Sequence, residues 1–248
     1  MKRYLSIDWQ ERLINLKHDY IFQLVILPFY KEGFEVVSET VESLINSKWD
    51  KSKMAIVLAY EERVGEEAEK IANDVLQKYE KQFGYFILSK HPKDLAGEMP
   101  GKGSNISWAA EAGRIGILDK NKIKYEDVLV SAFDIDTRVY QQYFLCLTWH
   151  FLTCEKPYHS SFQPVPLYNN NIWDAPALSR VVATSGTFWQ MIQQERPERL
   201  ATFSSHSMSF KALYEVGYWQ RNIVSEDSRI FWNSLLYFDG DYQVIPIS

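Results

Sequence analysis

Phe22-Gln23-Leu24-Val25-Ile26-Leu27-Pro28 is a near-continuous apolar run that stops at a proline. Such a run reads as a strand buried on both faces, the habit of parallel sheets, with the proline leading into a loop. Outward from it, Val37, Val41, Leu44 and Ile45 recur at helical spacing after Phe34. Met54-Ala55-Ile56-Val57-Leu58-Ala59 is the next apolar run, and Ala68, Ile71, Ala72, Val75, Leu76, Tyr79 and Phe83 then mark one face of a long charged helix. Gly84 opens a third run, Tyr85-Phe86-Ile87-Leu88. This alternation of strand and helix predicts an α/β fold, a mainly parallel central sheet flanked by helices and joined by right-handed crossovers.

Pro92 to Ser104 reads as a loop rich in Gly, Pro and Lys, and Asn105 to Ile117 as a helix. Val128-Leu129-Val130-Ser131-Ala132-Phe133 is another buried strand, and Tyr140, Phe144, Leu147 and Phe151 predict a helix after it. Beyond that point regularity weakens. Pro164 and Pro166 favour edge strands with long connections, and Asn169-Asn170-Asn171 a turn or loop. Ser225-Glu226-Asp227-Ser228 precedes Ile230, Phe231, Leu235 and Leu236 and starts a helix; Tyr242 to Ile247 makes a last strand. No repeat, low-complexity tract or linker divides the chain, so residues 1–248 read as a single domain with an N-terminal extension over 1–20.

The strand that begins at Val128 delivers Asp134-Ile135-Asp136. Extended alternation would project both carboxylates to one side at the strand's carboxyl end, where open α/β sheets bind ligands. Two such groups can share one hard cation, which keeps its other positions for water and substrate phosphates. Acidic residues are also common in turns after buried strands, so the pair gains weight only from its neighbours.

Composition narrows the function further. A formal charge of −5 and the lack of a basic tract argue against a nucleic-acid-coating surface. Cys146 and Cys154 are the only cysteines and have no Cys-x-x-Cys or Cys/His partner pattern, which argues against zinc and suits a reduced compartment. The segment from Lys2 to Asp8 is too polar for a secretory signal, and the longest apolar stretch, Tyr143 to Leu152, is about half the ~20 residues of a membrane helix. Eight Trp, fifteen Tyr and fourteen Phe supply rings for core, sugar-stacking or interface surfaces. Trp173, Trp189 and Trp219 are stacking candidates, though core packing is the better explanation of any single one.

Four segments stand in register with a known pattern: Leu27-Pro28-Phe29-Tyr30-Lys31-Glu32, Gly101-Lys102-Gly103-Ser104-Asn105, Asp134-Ile135-Asp136-Thr137 and Ser225-Glu226-Asp227. Through them the chain resembles a family 2 glycosyltransferase of the GT-A fold, in the branch of cellulose and chitin synthases, over roughly residues 20 to 245. The resemblance implies a GT-A-like nucleotide-diphospho-sugar transferase fold with a nucleotide-binding half over 21–137 and an acceptor-side half over 138–248. It also implies a nucleoside diphosphate sugar donor, by family default a UDP-sugar, a bound Mg²⁺ or Mn²⁺, and inverting transfer to a saccharide or lipid-linked acceptor.

Residue by residue, the resemblance makes Pro28, Tyr30 and Glu32 line the nucleotide pocket and sets Lys102 and Asn105 near the base or diphosphate. Asp134 approaches the ribose or metal, Asp136 ligates the metal, and Asp227, beside Glu226, is the general base. Ser205 and His206 fall where the family has its acceptor-side helix start. The chemistry agrees with these roles, since the departing diphosphate needs a cation and the attacking hydroxyl must lose a proton. Each motif also has a plainer explanation: Ser225 followed by two acids is an ordinary helix start, and the loop around Lys102, which lacks Walker spacing, is an ordinary surface loop.

Two departures limit the resemblance. The family's Asp-Asp-Gly-Ser turn is replaced by Ala59-Tyr60-Glu61-Glu62-Arg63, leaving Glu61 as the candidate acid for the base, and no Gln-x-x-Arg-Trp segment follows Asp227, so processive polymer synthesis is not expected. The resemblance further implies a cytoplasmic location, with association to a membrane or to a membrane-spanning remainder. Two alternatives stay open: a non-catalytic domain that binds nucleotide sugar or serves assembly, and a nucleotidyltransferase. The second would carry a Gly-rich signature with Arg and Lys after the first strand, unlike Pro28-Phe29-Tyr30-Lys31-Glu32-Gly33.

Overall fold

Seven strands form one sheet in a computed structural model that describes residues 7–168, 172–173 and 176–247. In chain order the elements are α1 (Trp9–Leu13), β1 (Phe22–Pro28), α2 (Phe34–Ile45), β2 (Met54–Glu61), α3 (Glu66–Tyr79), β3 (Tyr85–His91), α4 (Lys102–Gly113) and β4 (Val128–Ala132). There follow α5 (Tyr143–Thr153), β5 (Ser160–Pro164), α6 (Ala177–Gln194), β6 (His206–Ser209), α7 (Phe210–Val216), α8 (Glu226–Tyr237) and β7 (Gln243–Ile247). The Asn169-Asn170-Asn171 turn lies outside the described residues.

The sheet order is β3-β2-β1-β4-β6-β5-β7. β1 pairs in parallel with β2 and β4, and β2 with β3, while β6 runs antiparallel to both its neighbours. Alternation along β1 explains the layers. Val25 and Leu27 join the core beneath α1, α2, α3 and α5, and Leu24 and Ile26 join the opposite core beneath α4, α7 and α8. With helices on both faces every residue of β1 and β2 is buried, hence their unbroken apolar sequence.

The second half departs from expectation in three places. β5 is not an edge strand: it lies between β6 and β7, and Pro164 is tolerated because it is the strand's last residue, opposite Ile247. The polar strand β6 and the 18-residue α6 were not expected. α6 is inverted relative to an ordinary surface helix: Leu178, Val181, Val182, Phe188 and Trp189 are exposed, and Ala183, Gly186, Thr187 and Gln190 are more shielded. Trp219 is core and Trp173 and Trp189 are on the surface.

Candidate active site

β1, β2 and β4 end side by side at Pro28, Glu61 and Ala132, and the loops beyond them carry the candidate residues. Asp134 and Asp136 do not prolong β4 as alternation predicted. The Thr137 amide donates to the Asp134 carbonyl at 2.9 Å and closes a turn, so the two carboxylates have different surroundings. Asp134 takes a hydrogen bond from the Ser204 hydroxyl, and its own amide donates to Ser205 Oγ at 3.2 Å. Asp136 is exposed.

Lys102 is the hub. It begins α4, three residues before the expected helix start, and its Nζ lies 2.7 Å from Asp134 Oδ1, 2.8 Å from Asp227 Oδ2 and 3.8 Å from Glu226 Oε1. One ammonium therefore joins the acid after β4 to the two at the start of α8. Burial disfavours the ammonium, but the charges of Asp227 and Asp134 outweigh it and raise its pKa. Burial likewise opposes ionisation of Asp134, and Lys102 and Ser204 overcome it, so that its pKa is lowered. Glu226 receives less of this help, with Lys102 at 3.8 Å, and burial and the charge of Asp227 push it up to about 7. Around these groups lies a cleft of about 330 Å³ whose wall includes Met99, Lys102, Asp134, Ser204, Glu226 and Asp227. Asp227 Oδ1 is buried and has no hydrogen-bond partner among the described residues.

The remaining predicted residues are placed unequally. Pro28 is buried, and Tyr30 stands half-exposed in the loop after it. Glu32 turns back on that loop and accepts from the amides of Tyr30 at 2.7 Å and Lys31 at 3.1 Å. Asn105 is buried; its Nδ2 donates to the Ala59 carbonyl at 3.4 Å and its Oδ1 has no partner among the described residues. Ser205 braces the Asp134 turn, with Oγ 3.0 Å from Thr137 Oγ1. His206 is fully buried in β6. Indole is only a donor, so Nε2 accepts from Trp219 Nε1 at 3.3 Å and Nδ1–H donates to the Phe203 carbonyl at 2.9 Å. Burial, opposed by Asp227, lowers its pKa. With both nitrogens engaged, His206 is a packing residue of this wall and offers nothing to an acceptor.

Three neighbours escaped the sequence reading. Ser204 holds Asp134, and Tyr168, packed 3.6 Å from the Cβ position of Gly186, has its pKa raised by burial and by the charges of Asp134 and Asp136. Arg63 grips Glu61 through Nε at 2.6 Å and Nη2 at 2.9 Å. Only this last had a signal, an arginine two residues after the acid it pairs with.

The donor set suits a hard cation. Although the residue as a whole is exposed, partial desolvation of its carboxyl, the charge of Asp134 and, more weakly, that of Glu32 raise the pKa of Asp136, so an added cation there relieves repulsion. Lys102 and Ser204 already engage Asp134, and no group of three or more His, Cys, Asp or Glu is gathered among the described residues. One or two carboxylates with the rest of the coordination from phosphate and water is the habit of Mg²⁺.

No family model and no curated protein matches the sequence. The fold is similar to a mannosyltransferase from Pyrobaculum calidifontis solved with GDP-Man and Mn²⁺, at 14% identity and a TM-score of 0.58 over 99% of this chain and 59% of that one. It is similar to glucosyl-3-phosphoglycerate synthase from Mycobacterium tuberculosis, solved with Mn²⁺, UDP and phosphoglyceric acid, at 12% identity and 0.51 over 91% of this chain and 68% of that one. A third is S. aureus TarS 1-349 with UDP-GlcNAc, at 13% identity and 0.50 over 92% of this chain and 59% of that one. The chain thus spans 59% of the length of two of these proteins and has the GT-A fold of nucleotide-sugar transferases.

Proposed function

We propose that this chain is a metal-dependent, inverting glycosyltransferase that moves a sugar from a nucleoside diphosphate sugar to a saccharide or lipid-linked acceptor. The observation that carries the reading is the ammonium of Lys102 held between Asp134 and Asp227, because it draws the donor-side and base-side acids to one cleft. The GT-A fold supports it. Resemblance to the cellulose and chitin synthase branch rests on the four sequence segments alone.

In this reading the nucleotide lies along the ends of β2, β1 and β4, against the Glu61–Arg63 pair, Pro28, Tyr30 and Glu32, with its diphosphate beside Lys102 and Asp134. Asp136, with Asp134, would hold Mg²⁺ or Mn²⁺, which would supply Lewis-acid stabilisation of the leaving diphosphate. An anionic diphosphate competes with Asp227 for the Lys102 ammonium. Asp227 then accepts the proton of the acceptor hydroxyl as that oxygen attacks the anomeric carbon from the face opposite the diphosphate. Glu226, next to it, keeps a proton to about pH 7 and so limits the negative charge on the base. Asn105 serves by fixing α4 to the end of β2.

Residues 138–248 form the acceptor side. The exposed apolar face of α6, tied to the cleft through Tyr168, favours a lipid-linked acceptor over a free sugar. No helix among the described residues is long and apolar enough to cross a membrane, so contact with one would be peripheral or through chain outside this sequence. Free Cys146 and Cys154 suit the cytoplasmic side.

The test is a pair of substitutions read by donor turnover and nucleotide affinity. Asp227→Asn should lower turnover about 10²- to 10⁴-fold with nucleotide affinity nearly unchanged. Asp136→Ala should abolish the gain in affinity that Mn²⁺ gives. Near-normal turnover of the first variant removes the base, and Mn²⁺-dependent binding by the second removes the metal ligand.

A further inference from the structure

Glu61 is the last residue of β2 and only 4% exposed. A free carboxylate there would accept an N–H from a base, the part the sequence assigns to it. Instead both oxygens are taken by Arg63, Nε to Oε2 at 2.6 Å and Nη2 to Oε1 at 2.9 Å. The guanidinium also lies 4.7 Å from the centre of the Tyr30 ring. Clamped at its side edge by both Glu61 oxygens, the group is held in position, while its end edge, Nη1 and the outer N–H of Nη2, meets no acceptor among the described residues. The Arg63 side chain is 36% exposed. An acceptor site has become a pair of parallel donors.

Place in the sheet says what this pair faces. β2 is two strands from β4, about 10 Å across the hydrogen-bonding direction. The diphosphate of the proposed donor lies at the β4 end beside Lys102, so Arg63 stands at the distance of the base. Resting on the nucleotide-sugar reading of the cleft, we propose that Arg63 reads the nucleobase and selects guanine. Guanine offers two adjacent acceptors, O6 and N7, to an arginine fork. Uracil sets an N–H between its two carbonyls, and adenine puts an amino donor beside N7, so each leaves one arm of the fork facing a donor. Cytosine also has adjacent acceptors, O2 and N3, but on a single ring that reaches less far across the site.

The experiment is titration of GDP, CDP, UDP and ADP into the intact chain with Mn²⁺, for the parent, Arg63→Lys and Arg63→Gln. Lysine keeps a cation for the buried Glu61 while losing the fork, so it separates recognition from folding. GDP should bind about tenfold or more tightly than UDP or ADP. In Arg63→Lys that preference should shrink to threefold or less, with the melting temperature held near the parent's. UDP, ADP or CDP binding tightest, or a guanine preference that survives both substitutions, overturns the assignment and leaves the transferase reading standing. Failure of all four nucleotides to bind, with or without Mn²⁺, overturns both.

Discussion

Glu226 is a buried acid that shares its ammonium neighbour with two stronger claimants. Its side chain is 4% exposed, and Lys102 Nζ is 3.8 Å away while standing under 3 Å from both Asp134 and Asp227. Burial, with the charge of Asp227, moves its pKa from the ordinary 4.5 to about 7. An acid whose folded pKa is raised holds its proton in the native state after the unfolded chain has lost it. Stability therefore falls as pH rises from about 4.5 to 7, and the full penalty, about 3 kcal/mol, is present above that window. Glu226→Gln removes the ionisation and keeps the shape. It should match the parent near pH 4 and exceed it by up to about 3 kcal/mol at pH 8 in urea unfolding. An equal difference at both pH values would mean that the proton is not what burial controls here.

At the scale of elements, the start of α4 against α8 is where the site is most easily broken. A Cβ on Gly103 would stand 2.8 Å from the Gln220 carbonyl oxygen and 3.0 Å from Glu226 Cβ, and the first of these is backbone. Gly103→Ala should push the two helices apart, cost about 1–3 kcal/mol and carry Lys102 away from Asp227, so that turnover falls further than stability. Gly116→Ala meets Ile87 Cδ1 at 3.5 Å, an ordinary contact, and should stay within about 0.5 kcal/mol of the parent; chemical denaturation of both variants makes the comparison. The first half was legible because strands buried on both faces are apolar throughout and the helices between them carry a stripe. The polar strand β6 has no apolar run to read, and the prolines around β5 point to an edge that it does not occupy. Ser131 and Ser207 pair at 2.6 Å, Tyr143 reaches Ser207 at 2.9 Å, and Ser161 pairs with Tyr242 at 2.7 Å, so these hydroxyls are satisfied by partners far along the chain. The candidate site was legible as residue types. Its wiring was not, because which ammonium meets which carboxylate is decided by how α4 and α8 approach, and no local spacing encodes that.

The whole molecule carries a formal charge of −5, yet the solvent face of α6 carries six large apolar side chains between Leu178 and Ile192. Leu178 is 82% exposed, Val182 71% and Trp189 59%. Such a face contributes almost nothing to the stability of the isolated chain, because its area stays in water. It drives association, since contiguous apolar surface is what water expels. Folding and solubility can therefore be separated on one helix. The combined variant Leu178→Gln, Val182→Thr and Trp189→Gln should melt within about 2 °C of the parent, the small change expected of surface positions in a domain of this size. Its self-association, followed by sedimentation velocity over a range of concentrations, should fall. Trp219 supplies the contrast within the same residue type: 1% exposed and bonded to His206, it should cost several degrees even as Trp219→Phe, because the indole N–H is lost and Nε2 of His206 is left without its donor. If the α6 variant melted as low as the Trp219 variant, its exposed face would be holding the fold together and the inverted reading of that helix would fall.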